Sequence, residues 1–329
     1  MLLKIYLVCF TWAVLLKTYP GNTAATFHTL PHQPFIKVSS ITIDSVSCII
    51  PFTRAGNLIV VKAQADTTAG NFILDTGAPN LVLNLTYFRN YPTTMITDGE
   101  QAGITGSSPF IIQTTVKSFS LGALNYHDQQ ADVTSLGGIE NTKGLKILGL
   151  LGFELFKDCE MIIDYEKSVI YLHRITRKEA ATYQNEMLDD VAAYTTMPID
   201  ITDNRIIVHS EMVGKNLKFI IDCAAENNIL DSRLPDKIFN NVDVIRRVVL
   251  SGVGNKKVEA VYGNVKNIKI GEEKISNLPF LITNLEYTCF AQGGCIDGVL
   301  GFDYLSQHKT GFNFVKHKMY VWKQAADTK

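Results

Sequence analysis

The chain has 329 residues, 46% of them hydrophobic and 19% charged, with a formal net charge of −1 at pH 7. That apolar content fills real cores and excludes a disordered chain, and the near-balance of charge, with no Lys/Arg cluster beyond a few residues, gives no sign of a nucleic-acid partner. The length suggests about two domains at ~150 residues each.

Residues 1–25 read as an export signal. Lys4 gives a positive start, Ile5 to Leu16 is an apolar stretch too short to span a bilayer, and Thr23-Ala24-Ala25 offers small residues for cleavage. The mature chain is then expected to start near Thr26, secreted or periplasmic, with no stable membrane span after cleavage; an uncleaved N-terminal anchor is the other reading. Ile36 to Arg54 alternates polar and apolar residues as a strand does, and Asn57 to Ala65 reads as a second strand, turned by Ala69-Gly70-Asn71 into a third. That third strand, Phe72-Ile73-Leu74, ends on a carboxylate, Asp75. Thr76-Gly77-Ala78 then forces a tight turn and Leu81-Val82-Leu83 leaves it. Glycine at 77 permits backbone angles that a side chain forbids. Asp75 is therefore expected at the end of a buried strand, held by main chain on both sides.

Asp98 to Phe110, with Gly99, Gly103 and Gly106, is glycine-rich and loop-like. Val116 to Leu121 is a strand, and Ala131-Asp132-Val133 begins another. Ile147 to Phe156 carries apolar-apolar-Gly before a short helix, and Met161 to Tyr165 and Val169 to Leu172 read as paired strands. Arg174 to Ala193 is rich in Lys, Arg, Glu, Gln and Ala, free of Pro and Gly, and expected to be helical. It marks a boundary, dividing the chain into lobe 26–175, helical linker 176–195 and lobe 196–329.

After the boundary the pattern starts again. Lys218 to Ala225 mirrors Asn71 to Ala78, placing Asp222 147 positions after Asp75. Gly254 follows Gly106 by 148, and Asn267 to Gly271 follows Ser118 to Gly122 by 149. Val299 to Leu305 follows Leu150 to Phe156 by 149, and Gly311 to Phe314 follows Ile162 to Tyr165 by 149. Five features in one order at nearly one offset make the chain two copies of one β-rich lobe.

An Asp-Thr-Gly loop, a glycine-rich hairpin and a later apolar-apolar-Gly motif, once intact and once degenerate over about residues 50–325, resemble the bilobal, retropepsin-like aspartic peptidases. The resemblance implies an all-β fold of two tandem retropepsin-like barrel lobes about a pseudo-twofold axis, with a short helix after each apolar-apolar-Gly motif. It implies an aspartic endopeptidase, monomeric, acting on a peptide or protein substrate without metal or cofactor. Asp75 and Asp222 would face each other and share a proton, one acting as base on a water while the other donates to the scissile carbonyl. Thr76, Gly77, Cys223 and Ala224 would lie against the substrate from the two loops. Gly103, Ile104 and Gly106, with Gly252 and Gly254, would form the flaps, the first being the main lid.

The second loop departs from this pattern. Cys223 stands where a clasping hydroxyl is expected, a weaker donor, and Ala224 replaces glycine. A non-catalytic peptide-binding relative is therefore a second reading, and a homodimer pairing two Asp75 loops a third arrangement. Cys223 as a thiol nucleophile has no His near it in sequence. The histidines (28, 32, 127, 173, 209, 308 and 317) show no metal spacing. Cys289 and Cys295 flank a short loop that a disulfide could close, and Asn84-Leu85-Thr86 fits a glycosylation acceptor.

Overall fold

The structure, a computed structural model, describes residues 5–7, 46–96, 100–103, 106–108, 111–251, 257–286 and 295–323. The leader expected over 1–25, apart from its residues 5–7, and Ile104, Gly252, Gly254 and Cys289 lie outside them.

Two eight-stranded sheets repeat one topology. In the first the strand order is Thr53–Ala55, Leu58–Ala65, Thr68–Leu74, Gly149–Leu151, Leu81–Asn84, Leu124–Thr134, Ile111–Leu121 and Thr94–Ile96. In the second it is Asp200–Thr202, Arg205–Met212, Lys215–Ile221, Gly298–Leu300, Ile229–Asp231, Glu273–Thr283, Lys257–Ile270 and Val242–Ser251. One further pairing closes each sheet into a barrel, Leu58–Ala65 on Ile111–Leu121 and Arg205–Met212 on Lys257–Ile270. The chain is thus all-β with two tandem retropepsin-like lobes. Short helices follow both apolar-apolar-Gly motifs, a 3₁₀ turn at Phe153–Leu155 and a helix at Phe302–Leu305.

The repeat extends to packing. Successive residues of a strand point to opposite sheet faces. In Leu58–Ala65 the first face, Leu58 and Val60, joins a small cluster with Ile73, Ala78, Val82, Leu136, Ile147 and Leu150. The second face, Ile59, Val61 and Ala63, joins the main core. The second lobe rebuilds the small cluster with Ile207, Ile220, Ala225, Ile229, Leu285, Ile296 and Val299. One position breaks the match. The counterpart of Leu58 is Arg205, 0% exposed.

A third sheet is shared by the lobes. Its order is Tyr194–Pro198, Lys318–Trp322, Thr310–Asn313, Cys159–Asp164, Val169–Arg174 and Ser47–Pro51. Aromatic contacts reinforce it, with Phe153 edge-on to Phe314 at 5.3 Å, Tyr165 edge-on to Phe302 at 5.8 Å, and Arg54 over Phe302 at 4.5 Å.

Two expectations are corrected. The segment 176–195 is not a helix but turns around a three-residue 3₁₀ piece, Glu186–Leu188. Its polar side chains are tied to the shared sheet instead. Tyr183 stacks on His173 at 4.2 Å, Asn185 donates to the buried Glu160 at 2.5 Å, and Lys316 Nζ donates to the Tyr183 carbonyl at 2.8 Å. Helix propensity is a weak prior that such contacts override. Asn84 is no glycosylation acceptor, because its side chain is 0% exposed and used internally. It accepts from Thr86 N and Leu136 N, both at 3.2 Å, and donates to Ile147 O at 2.9 Å. Its mirror position, Asp231, likewise accepts from Arg233 N at 3.0 Å and Leu285 N at 3.4 Å.

Cys48, Cys159 and Cys223 are free and buried. Cys295 is disulfide-bonded. No helix among the described residues is long and apolar enough to cross a membrane.

Candidate active site

Each aspartate is delivered by the same strand arrangement. Leu74 pairs in parallel with Leu151, and Ile221 with Leu300. Asp75 N then donates to Leu151 O, and Asp222 N to Leu300 O, both at 3.0 Å. The loop ends are fixed alike, Phe153 N donating to Ala78 O and Phe302 N to Ala225 O, both at 2.8 Å. These contacts explain the glycine of the apolar-apolar-Gly motif. A Cβ on Gly152 would sit 2.0 Å from Asn80 O, and one on Gly301 2.4 Å from Ala225 O.

Both carboxylates are cradled by their own loops. Asp75 Oδ1 accepts from Gly77 N at 3.0 Å and Ala78 N at 2.9 Å. Asp222 Oδ1 accepts from Ala224 N at 2.8 Å and Ala225 N at 3.1 Å. The side chains are 1% and 0% exposed. The loops meet face to face, since a Cβ added to Gly77 would lie 2.6 Å from both Cγ and Oδ2 of Asp222. Gly77 is glycine because the opposite aspartate occupies that space.

Burial, and then the neighbouring charge of Asp222, push the Asp75 carboxyl well above the usual carboxylate range. Amide donors from Ala78 and Gly77 and the positive charge of Arg205 oppose this. The arrangement favours a single proton held between two carboxyls. A stability effect follows. A carboxyl with a raised folded-state pKa binds more protons folded than unfolded, so its cost is absent below the unfolded pKa and grows as pH rises towards the folded value. Asp75→Asn is therefore expected to raise the thermal midpoint, by a margin that widens from acidic to neutral pH, each unit of pKa raise being worth ~1.4 kcal/mol. A margin constant across pH would contradict the assignment.

The loops are clasped unequally. Thr76 Oγ1 donates to Ile221 O at 3.0 Å and accepts from Cys223 N at 3.0 Å. Cys223 Sγ lies 3.4 Å from the same hydroxyl. Lobe one thus supplies a full clasp and lobe two a thiol. Burial pushes that thiol up to about 12, which keeps it protonated at neutral pH and argues against a nucleophilic role. Cys223→Thr supplies the mirror hydroxyl, and its catalytic rate and thermal midpoint are expected to equal or exceed those of the unaltered protein; a drop in both would show that the site is shaped around sulfur. Ala224, 4% exposed, packs its methyl into the lobe-one cluster with Leu58 and Ala78.

Further polar groups hold the loop ends. The buried Asp132 accepts from Asn80 Nδ2 at 3.0 Å and Gln113 Nε2 at 2.8 Å. Asp303 accepts from Asn227 Nδ2 and Asn228 N, both at 3.1 Å. Neither pair was singled out from sequence, nor were Arg205, Lys143 and Glu226. The signal available was a charged residue inside an otherwise apolar strand or loop.

The structure therefore brings Asp75, Thr76 and Gly77 against Asp222, Cys223 and Ala224. Gly103 and Gly106 lie opposite each other in a hairpin, Glu100–Gly103 with Gly106–Ser108, outside the eight-stranded sheet of that lobe. The second hairpin is framed by Ser251 paired with Lys257. Among the described residues no group of three His, Cys, Asp or Glu gathers as a metal site.

The family model described as Aspartyl protease matches residues 208–304, the lobe with the degenerate loop. No curated protein sequence matches the chain. Among solved structures it is similar to the aspartic proteinase from Irpex lacteus, at 13% identity and a TM-score of 0.51, over 86% of this chain and 98% of that one. In its fold and its matched lobe, the chain is similar to the aspartic peptidases.

Proposed function

We propose that the chain is an aspartic endopeptidase whose reacting pair is Asp75 and Asp222 of the same molecule. The observation that carries this reading is the meeting of the two loops, where the space a Cβ on Gly77 would need is taken by the Asp222 carboxyl. In this mechanism the ionised member of the pair takes a proton from a water between them. The water oxygen attacks the scissile carbonyl carbon, and the protonated member donates to the carbonyl oxygen as the tetrahedral intermediate forms. The newly protonated member then gives its proton to the leaving nitrogen while the other takes one back from a hydroxyl of the intermediate, so the C–N bond breaks, the carboxyl product forms and the pair is restored with one proton. The pair titrates as a unit. The amides of residues 77, 78, 224 and 225 hold the inner oxygens still, so the outer ones are pre-aimed.

The hairpins at Gly103–Gly106 and Gly252–Gly254 are proposed as flaps over an extended substrate. Residues 176–195 are proposed as the connector between lobes and residues 1–25 as an export leader, which would put the enzyme outside the cytoplasm. A second reading, a peptide binder that does not cleave, is favoured by one feature, the Cys223-Ala224 pair in the second loop. Incubation with an unstructured protein across acidic to neutral pH, with and without a statine-type transition-state mimic, separates the two. Cleavage suppressed by the mimic supports the enzyme; peptide binding without cleavage at any pH supports the binder.

A further inference from the structure

One hydroxyl clasp, Thr76 on Ile221 O and Cys223 N, holds the Asp222 loop across the lobes, and a second tie stands beside it. Glu226 immediately follows that loop, 8% exposed, and reaches across to lobe one. Its Oε1 meets Lys143 Nζ at 2.5 Å, and the two side chains are only 11% and 9% exposed. Its Oε2 accepts from Asn57 N at 3.2 Å, while its carbonyl accepts from Asn57 Nδ2 at 3.2 Å. Two lobe-one elements thus hold one residue of lobe two. They are the turn at Gly56-Asn57 and the last residue of the helix Gly137–Lys143. The turn is built for it, since Gly56 has φ of +63° and a Cβ there would sit 2.9 Å from Lys143 Nζ and 3.0 Å from Glu226 Oε2.

The repeat shows that this is an addition rather than a duplicated feature. The counterpart of Glu226 in lobe one is Pro79, which has no carboxylate to offer. The counterpart of Asn57 is Asn204, which donates to Glu154 at 3.2 Å across the other side of the interface. That contact carries no buried cation, because the lysine beside Glu154, Lys157, is half exposed. The two sides of the dyad are therefore held by different means. The Thr76 hydroxyl of lobe one and the buried ion pair both act on the loop of lobe two, while Cys223 offers the lobe-one loop a thiol in place of a hydroxyl.

We propose that Lys143, Asn57 and Glu226 form a cross-lobe latch that positions the Asp222 loop together with the Thr76 clasp, a second tie between lobes that lack the reciprocal hydroxyl clasp. The proposal rests on the peptidase reading for its kinetic consequences, but not for its structural one. Glu226 is separated from Ala225 by no intervening residue, and the Ala225 amide is one of the two that hold Asp222 Oδ1. Anchoring Glu226 from lobe one therefore fixes the carboxylate against the opposite lobe. These are positioning residues, acting through the loop and not on the substrate.

Removing one partner alone strands a buried charge and endangers the fold. The test is therefore the neutral double variant Lys143→Met with Glu226→Gln, beside Lys143→Arg, which keeps the pair. With the fold intact by thermal unfolding, the double variant is expected to lose about 10-fold to 100-fold in kcat with KM changed less than about twofold, as loop misplacement does. Lys143→Arg is expected to retain most of the rate. Amide hydrogen exchange at Ala224 and Ala225 is expected to quicken at least about tenfold in the double variant relative to the unaltered protein, with exchange in the lobe-one loop unchanged. A folded double variant with unchanged kcat and unchanged exchange would overturn the latch. Absence of hydrolysis by the unaltered protein would instead overturn the peptidase reading, and the exchange measurement would still decide the latch.

Discussion

Asp75→Ala and Asp222→Ala are each expected to abolish hydrolysis, with losses of about 10⁴-fold, the upper end of what general acid–base groups contribute. The losses should be equal in kind because the two roles cannot be filled by one carboxyl. With Asp75 gone, Asp222 retains its amide cradle but has no partner to share a proton. With Asp222 gone, Asp75 loses the neighbouring charge that helps raise its pKa. The double variant should be no worse than either single one, since residues acting as a unit are not additive. Rate per molecule is expected to be independent of protein concentration. Full activity in Asp222→Ala beside a dead Asp75→Ala would point to two chains pairing their Asp75 loops. A circular dichroism spectrum matching the unaltered protein is the control that the loss is chemical.

The second large effect is structural. Gly152→Ala is expected to destabilise the fold by more than about 4 kcal/mol, in the range reserved for severe core damage. The added Cβ would lie 2.0 Å from Asn80 O, 2.5 Å from its carbonyl carbon and 2.8 Å from Ala78 O, all of them backbone atoms. Main chain cannot swing aside as a side-chain tip can, so either the Gly149–Leu151 strand leaves the sheet or the Asp75 loop moves. The strand runs between the two strands that flank the loop, pairing with both, so its loss dissolves the loop's support. Gly137→Ala is the matched comparison. Its Cβ would have its nearest neighbour at 3.6 Å, an ordinary contact, at a helical position. Denaturant midpoints read both, with collapse expected for the first and little change or a slight gain for the second. Equal midpoints would mean that the motif tolerates a methyl and that its glycine has another cause.

The fold was legible because duplication wrote it twice. Asp75 and Asp222, Leu150 and Val299, and Ile162 and Gly311 recur at nearly one offset, and the strand orders of the two sheets recur with them. Hydrophobic strands ending on a carboxylate were readable one residue at a time. The shared sheet was not, because its order joins strands far apart in sequence and nothing local to Tyr194–Pro198 or Ser47–Pro51 names a partner. The connector misled for a related reason. Tyr183 and Asn185 carry ordinary helix-compatible composition around them, yet their partners, His173 and Glu160, lie on the sheet. Asn84 fitted a sequon that only burial could cancel. Glu226 and Lys143 look like surface charges in sequence, and they become a buried pair only when the lobes close. Arg205 could have been noticed at the start of an apolar strand in the place where the first copy has Leu58.

On the proposed reading, one chain holds one complete reacting pair. The most direct measurement is the stoichiometry with which a statine-type transition-state mimic binds, read by calorimetry alongside the mass of the complex in solution. One mimic per chain is expected on a monomer, with binding lost in both Asp75→Ala and Asp222→Ala. One mimic per two chains on a dimer, with binding preserved in Asp222→Ala, would contradict it.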